Sequence, residues 1–412
     1  MNLVSFDGFP FVEGGVTAAK GFSAAGIHCG IRANKSKKDL GLILADRPCA
    51  AAAVYTQNKV KGAPLLVTKA HLENGTAQAV IVNSGIANTC NADGLEKAEG
   101  MCLIASAALD LPASDVVVAS TGVIGQPLPL EPIQGGIEEL KAGLSPENHA
   151  DFADAIMTTD TVRKEVAVEF SLGGKTCRIG GCSKGSGMIM PNMATMLCFL
   201  TTDAAIEPEL LQVALKQVVD ETFNMVSVDG DTSTNDMVSV LASGQAGNAQ
   251  IDSQNGDFET FVNALYVVLM NLSRKIAGDG EGATKLLECV VTGAETKEQA
   301  RIVAKSVINS SLLKAAMFGA DANWGRVLCA IGYAQTDVDV NRVDVAFASR
   351  NGAVAVCKDG AGVDFSEETA KEVLTTDEVK ILINLNAGEE SATAWGCDLT
   401  YDYVHINGDY RS

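Results

Sequence analysis

A lone threonine, Thr195, stands between Ala194 and Met196 in the segment KGSGMIMPNMATML, residues 184–197. A threonine hydroxyl is a weak nucleophile that needs a base. If the Ala194–Thr195 bond is cut, the freed α-amine of Thr195 becomes that base, because such an amine has a pKa of about 7.7–8.0. The hydroxyl can attack the preceding carbonyl carbon, and water can then release the ester. Threonine is also common in buried strands, so this segment alone leaves a structural role open.

A second segment of interest, ASTGVIGQPLP, covers residues 119–129. It ends an apolar run with small residues that include Thr121 and Gly122. Backbone N–H groups at such a strand end, together with the Thr121 hydroxyl, suit an oxyanion hole. An ordinary turn explains the same residues.

Three further segments group acids, amides and hydroxyls. MTTDT (157–161) is a hydroxyl cluster, GDTSTND (230–236) mixes acids with hydroxyls, and GDGEGATK (278–285) sets Glu281 between glycines. The second of these suits either a cation site or a self-bonded turn. Only four histidines occur, and none has a second His, or a Cys or Glu, at the i+3 or i+4 spacing of a helical metal site, so we expect no metal site.

Composition restricts the class of protein. The 412 residues carry a net charge of −20, which argues against nucleic-acid and anionic-membrane surfaces. Eleven cysteines without a CxxC pair indicate a reducing compartment. The beginning, MNLVSFDGFP, has neither the basic nor the apolar region of a signal peptide, and the apolar runs are too short to span a bilayer. We therefore expect a cytoplasmic protein.

Short β-branched runs alternate with amphipathic stretches along the whole chain, which predicts an α/β or α+β fold. Separate strands are predicted at 41–46 and 51–56, and helices at 94–111 and 206–223. Residues 244–257, rich in Gly, Asn and Gln, have the composition of a linker. From residue 286 onward, the pattern predicts strand–helix–strand repeats.

Taken together, the motifs resemble the glutamate N-acetyltransferase (ornithine acetyltransferase) family of arginine biosynthesis. The resemblance extends in order over essentially the whole chain. The segments that carry it are NSGIAN, STGVIGQ, MTTDT, KGSGMIMPNMATML, GDTSTND, GDGEGATK, ADANWGR and the ending DLTYDYVHINGDY.

The resemblance implies a role for each matching residue. Thr195 would be the nucleophile, freed by self-cleavage after Ala194, and Thr121 and Gly122 would form the oxyanion hole. The substrate-binding residues would be Thr158, Lys184, Thr195, Glu281, Asn407 and Ser412. The family commonly has threonine at the last of these positions, where serine keeps the hydroxyl but loses a methyl group.

The fold implied by the resemblance is a layered α/β sandwich like that of the self-processing aminopeptidases. Residues 1–194 would form an α chain and residues 195–412 a β chain. Within the β chain, residues 195–285 would complete the main core, and about 286–412 would form a smaller α/β domain. The implied assembly is an α2β2 heterotetramer.

The implied reaction passes an acetyl group from N-acetylornithine to glutamate, through an acetyl-Thr195 enzyme, with ping-pong kinetics and no cofactor. Some relatives also use acetyl-CoA, and the sequence leaves that donor open. Two alternatives remain at this point. An N-terminal-nucleophile amidase or aminopeptidase would let water resolve the acyl-enzyme. A non-enzymatic protein that binds acetylated amino acids would stay uncut.

Overall fold

The computed structural model describes residues 2–190 and 196–408. Three residues named above, Ala194, Thr195 and Ser412, lie outside these ranges. The strands are β1 (Phe22–Ile27), β2 (Leu40–Tyr55), β3 (Thr76–Ile86), β4 (Val116–Val123), β5 (Lys164–Leu172), β6 (Lys175–Lys184), β7 (Leu197–Thr202), β8 (Val226–Ser227), β9 (Met237–Ala242), β10 (Leu286–Ala294), β11 (Asp344–Ser349), β12 (Gly352–Lys358), β13 (Ala361–Gly362), β14 (Glu378–Asn384) and β15 (Glu390–Cys397). The helices are α1 (Ala63–His71), α2 (Gly94–Leu109), α3 (Glu131–Ala142), α4 (His149–Ile156), α5 (Pro208–Glu221), α6 (Gly256–Gly278), α7 (Lys297–Ile308), α8 (Ser311–Phe318), α9 (Trp324–Gly332), α10 (Glu367–Leu374) and α11 (Tyr401–Gly408).

In the described ranges, one sheet has eight strands in the order β4-β3-β2-β9-β7-β6-β5, with β1 paired to β2. The two strands expected at 41–46 and 51–56 are one 16-residue strand, β2. Its pairing with β3 shifts register between Leu44 and Cys49. The exposed residues between the two expected strands therefore form a bulge within one continuous strand.

The central strands of this sheet come from segments that precede residue 195 in the sequence and from segments that follow it. β7 and β9 run parallel to each other, and they lie between β2 and β6. β6 pairs antiparallel with β7, so the chain leaves β6 at Lys184 and returns at Leu197 beside it. Residues 185–196 therefore connect two neighbouring strands at one edge of the sheet.

Helix α6 forms a layer between the two sheets. It packs against β5 and β6 of the first sheet and against β10 and β15 of the second. Its start is fixed by Asn255, whose side chain accepts hydrogen bonds from the N–H groups of Asp257 and Phe258. Phe261, Leu265 and Leu272 lie on its buried side, as expected of residues four and seven apart along a helix.

The second sheet has the order β13-β12-β11-β14-β10-β15-β8, and all its strands except β8 follow residue 285. Three helices in succession, α7 to α9, connect β10 to β11. The mixed α/β class with two sheets confirms the predicted fold class. Within the described residues, no helix has both the length and the hydropathy that a membrane span requires.

Candidate active site

The ends of several strands meet where the chain leaves β6. Lys184 pairs with Leu197, and Leu197 pairs on its other side with Met237, the first residue of β9. The N–H of Met237 donates a hydrogen bond of 2.9 Å to the carbonyl of Met196. Strand register thus brings Lys184, Met196 and Asp236 to the same end of the sheet.

A small cavity of about 30 Å³ lies at this edge. Two of the predicted site residues, Thr121 and Lys184, line it, and so do Met196 and Leu197. Its remaining lining residues are Gly187, Met188, Ile189, Ser233, Asn235 and Asp236. The cavity therefore combines the predicted oxyanion residue with the predicted substrate lysine, beside the residue that follows Thr195.

Thr121 and Gly122 lie in the last three residues of β4, which runs parallel to β3. Gly122 has a φ of +132°, and a Cβ there would lie 2.2 Å from the carbonyl carbon of Gly85. Only glycine allows the two strands to approach this closely. The Asn235 amide fixes the same strand end, because it donates to the carbonyl of Ser120 at 3.0 Å and to that of Ala87 at 2.6 Å.

Lys184 is a buried cation surrounded mainly by carboxylates. Burial lowers the pKa of its ammonium group, and the carboxylates of Asp160, Asp236 and Glu281 oppose that effect. The net result is a pKa below the ordinary value for lysine. A substrate carboxylate would find in Lys184 a strong partner that water does not screen.

Lys164 stands at the centre of a buried ionic network that the sequence analysis did not predict. Its ammonium contacts Asp160 at 2.6 Å and Asp279 at 2.5 Å. Asp160 accepts hydrogen bonds from the N–H groups of Gly185, at 2.7 Å, and Thr158, at 3.1 Å. Burial raises the pKa of the Asp160 carboxyl, but the nearby lysines outweigh burial and hold it well below its usual range.

This network joins three segments that carry predicted substrate residues. Asp160 binds the backbone at Thr158 and the residue after Lys184. Asp279, two residues before Glu281, accepts hydrogen bonds from the N–H and hydroxyl of Thr161. Thr158, Lys184 and Glu281 are therefore positioned by one set of buried charges.

Glu281 is buried, and its carboxylate lies against Gly187. Its backbone N–H donates to the Ser186 carbonyl at 3.1 Å. One carboxylate oxygen accepts a hydrogen bond of 2.7 Å from the side-chain amide of Asn407, on α11. Asn407 and Glu281, 126 residues apart in the sequence, are thus brought into direct contact.

The acidic turn at residues 229–236 supports the segment that leads to residue 191. Asp229 accepts hydrogen bonds from the N–H groups of Met188, at 2.6 Å, and Ile189, at 2.8 Å. The Thr232 hydroxyl donates to the carbonyl of Met190 at 2.8 Å. Within the turn, the N–H of Asp231 donates to Asp229 and the N–H of Asn235 donates to the Ser233 hydroxyl, both at 3.2 Å, as in the self-bonded alternative. Among residues 2–190 and 196–408 no group of three or more potential ligands is arranged to hold a metal ion.

The motif ADANWGR, residues 320–326, has a structural role in the described chain. Asn323 caps α9 by accepting a hydrogen bond from the N–H of Arg326. The Trp324 ring lies against Gly362, where a Cβ would come within 2.5 Å of it. This motif is a packed turn.

Comparison with known proteins agrees with the motifs. The model of the ArgJ family matches residues 23–412. The chain belongs to the ArgJ family. The arginine biosynthesis bifunctional protein ArgJ 1 of Clostridium acetobutylicum is 50% identical over 398 residues, which cover 96% of this chain and 97% of the relative. ArgJ of Bacillus subtilis is 47% identical over 414 residues, with both chains covered completely.

A crystal structure of the arginine biosynthesis bifunctional protein ArgJ from Bacillus halodurans is also similar to this ArgJ-family chain. It has 49% sequence identity and a TM-score of 0.50. All of that crystallised chain is covered, but only 52% of this one. These comparisons confirm the family resemblance inferred from the motifs, over nearly the whole chain.

Proposed function

We propose that this chain cuts itself between Ala194 and Thr195, and that Thr195 then carries an acetyl group from N-acetylornithine to glutamate. Ornithine leaves after the first half-reaction, and the glutamate amine takes the acetyl group in the second. The names of the curated relatives, which call them bifunctional proteins of arginine biosynthesis, support an enzyme of this pathway.

The observation that carries the proposal is a buried anion, Glu281, within electrostatic reach of a buried cation, Lys184, that lines the cavity. N-acetylornithine has an α-carboxylate at one end and a side-chain ammonium at the other. Lys184 supplies the partner for the carboxylate, and Glu281 supplies the partner for the ammonium. Thr121 lines the cavity together with Lys184, which supports a role for its hydroxyl and the adjacent Gly122 N–H in stabilising the oxyanion of each acyl transfer.

Coverage of the Bacillus halodurans structure supports the proposed cleavage. The crystallised ArgJ chain corresponds to about half of this chain, although curated ArgJ proteins match it over 96% or more. Residues 195–412 make up slightly more than half of the 412 residues. A half-length chain is what a cut before Thr195 would produce.

We further propose that the cut chains assemble as an α2β2 heterotetramer in the cytoplasm, and that Thr158, Asn407 and Ser412 complete the substrate pocket. For the second donor implied by the word bifunctional, we propose acetyl-CoA. That donor is tested by supplying acetyl-CoA and glutamate to the enzyme in the absence of acetylornithine.

The first experiment compares wild type with Thr195→Ala by intact mass and acetyl transfer. Wild type should give two fragments, one beginning at Thr195, while the variant should be uncut and inactive. Ornithine release measured with and without glutamate separates the transferase from the amidase alternative. Release at the same rate without glutamate would identify a hydrolase, and an uncut wild-type chain without turnover would overturn the proposal.

A further inference from the structure

A basic loop, residues 28–38, connects β1 to β2. Its sequence, HCGIRANKSKK, contains one arginine, three lysines and one histidine but no acidic residue, in a chain whose net charge is −20. The next residue, Asp39, is buried, and its carboxylate accepts hydrogen bonds from the N–H groups of Cys29 at 2.6 Å, Gly30 at 3.2 Å and Arg32 at 2.9 Å. Asp39 therefore fixes the backbone of the basic loop from within the protein.

The basic loop lies beside two elements of the candidate active site. The Arg32 side chain packs against Gly85, where a Cβ would lie 2.8 Å from the Cγ of Arg32, and Gly85 is the residue that pairs with Gly122. The Lys37 ammonium donates a hydrogen bond of 3.2 Å to the carbonyl of Thr158. The basic loop thus borders both the predicted oxyanion strand end and a predicted substrate segment.

The lysines of the basic loop differ in how their charges are compensated. Lys38 forms an ion pair with Asp151. Lys35 and Lys37 are exposed, and neither has a carboxylate partner within the part of the chain that the structure describes. Two uncompensated positive charges therefore face solvent at the rim of the site, in a protein that is otherwise strongly acidic.

Phosphate groups are the anions that such a cluster of flexible ammonium groups suits best. Among the substrates proposed above, acetylornithine and glutamate carry no phosphate, whereas acetyl-CoA carries a diphosphate and a 3′-phosphate on its nucleotide. A long pantetheine arm separates these phosphates from the thioester. The thioester can therefore enter the site while the phosphates stay outside it, on exposed cations at the rim.

We propose that the basic loop binds the phosphate groups of acetyl-CoA, and that Lys35 and Lys37 are its main contacts. This inference rests on the second donor proposed above, and it adds where the nucleotide end of that donor is held. The basic loop then serves one donor only. Acetylornithine, which has no phosphate, does not need it.

The test compares donors in the double variant Lys35→Glu/Lys37→Gln, in which glutamine keeps a hydrogen-bond donor for the Thr158 carbonyl. The KM for acetyl-CoA in glutamate acetylation should rise about tenfold or more, and the KM for acetylornithine should stay at the wild-type value. The matched control is Lys175→Glu/Lys216→Gln, which changes two exposed lysines outside the basic loop. Lys175 begins β6, at the opposite end of that strand from the site. The control should leave both KM values unchanged.

A second measurement uses acetyl-pantetheine, which has the thioester but no phosphate. Its KM should be the same in wild type and in the Lys35→Glu/Lys37→Gln variant. A rise for acetyl-pantetheine or acetylornithine as large as the rise for acetyl-CoA would overturn the inference, because the basic loop would not be acting on phosphate.

The outcomes separate this inference from the proposed function. An unchanged KM for acetyl-CoA in the double variant overturns the role of the basic loop and leaves both donors in place. A wild-type enzyme that uses acetylornithine but not acetyl-CoA overturns the second donor together with this inference, and it leaves the acetylornithine reaction intact.

Discussion

The carboxylate of Glu281 occupies the space that a side chain on Gly187 would need. A Cβ on Gly187 would lie 2.3 Å from the Glu281 carboxyl carbon. The obstacle is the end of a flexible side chain, whereas at Gly122 the obstacle is backbone. A substitution at Gly187 should therefore displace the Glu281 carboxylate and leave the fold in place.

Gly187→Ala should raise the KM for acetylornithine about 10- to 100-fold, since the substrate ammonium loses a charge-assisted hydrogen bond worth about 1.5–3 kcal/mol. Thermal unfolding should stay close to that of wild type. Gly135→Ala, where a Cβ meets nothing within 4 Å, is the control and should leave KM unchanged. An unchanged KM in Gly187→Ala would remove Glu281 from the substrate pocket.

Glu281→Gln should affect the two half-reactions unequally. Acetyl-enzyme formation from acetylornithine should slow about 10- to 100-fold, because the ornithine ammonium loses its anionic partner. Capture of the acetyl group by glutamate should be spared, because glutamate carries no side-chain ammonium. Rapid-quench measurements of each half-reaction check this, and equal losses in both would contradict the assignment.

Asp160→Asn should change the pH dependence of acetylornithine use. The Asp160 carboxylate raises the pKa of Lys184, so its removal should lower that pKa further. The alkaline fall in kcat/KM, where Lys184 loses its proton, should move to lower pH. Asp154→Asn, which removes a half-exposed ion pair with Arg163, should leave the profile in place. A profile unchanged by Asp160→Asn would exclude the proposed support of Lys184.

The variants Gly122→Ala and Gly125→Ala compare two glycines with positive φ that lie three residues apart. Their φ values are +132° and +81°, so both alanines carry backbone strain. Only at Gly122 would the new Cβ meet backbone, at Gly85. We expect kcat to fall about 10²- to 10³-fold in Gly122→Ala, as on loss of an oxyanion donor, and little in Gly125→Ala. Equal kcat values in the two variants would contradict an oxyanion role.

Sequence patterns predicted the regular elements better than their connections. The helix predicted at 94–111 is Gly94–Leu109, and the one predicted at 206–223 is Pro208–Glu221. Their 3.6-residue apolar spacing is a local property. Strand β2 was divided wrongly in two, because a bulge within a strand has the same polar residues as a turn.

Within the site, the family resemblance implied Lys184 and Glu281, and both are buried in the site region. The Lys164 network was missed. Lys164 and Asp279 are 115 residues apart, and nothing in either neighbourhood indicates that the other is its partner. Asp236 belongs to the motif GDTSTND, but only the packing shows that one of its carboxyl oxygens is buried without a hydrogen-bond partner among the residues that the structure describes.

The position of β9 and β7 between β2 and β6 has a consequence for the lifetime of the folded protein after cleavage. Before cleavage, unfolding can be reversed by a single molecule. After it, the first sheet could be rebuilt only if two separate fragments found each other and the adjacent strands β9 and β7 were placed again between β2 and β6. Loss of structure in the mature protein should thus be a one-way event, and its working lifetime should be set by the rate of unfolding instead of an equilibrium.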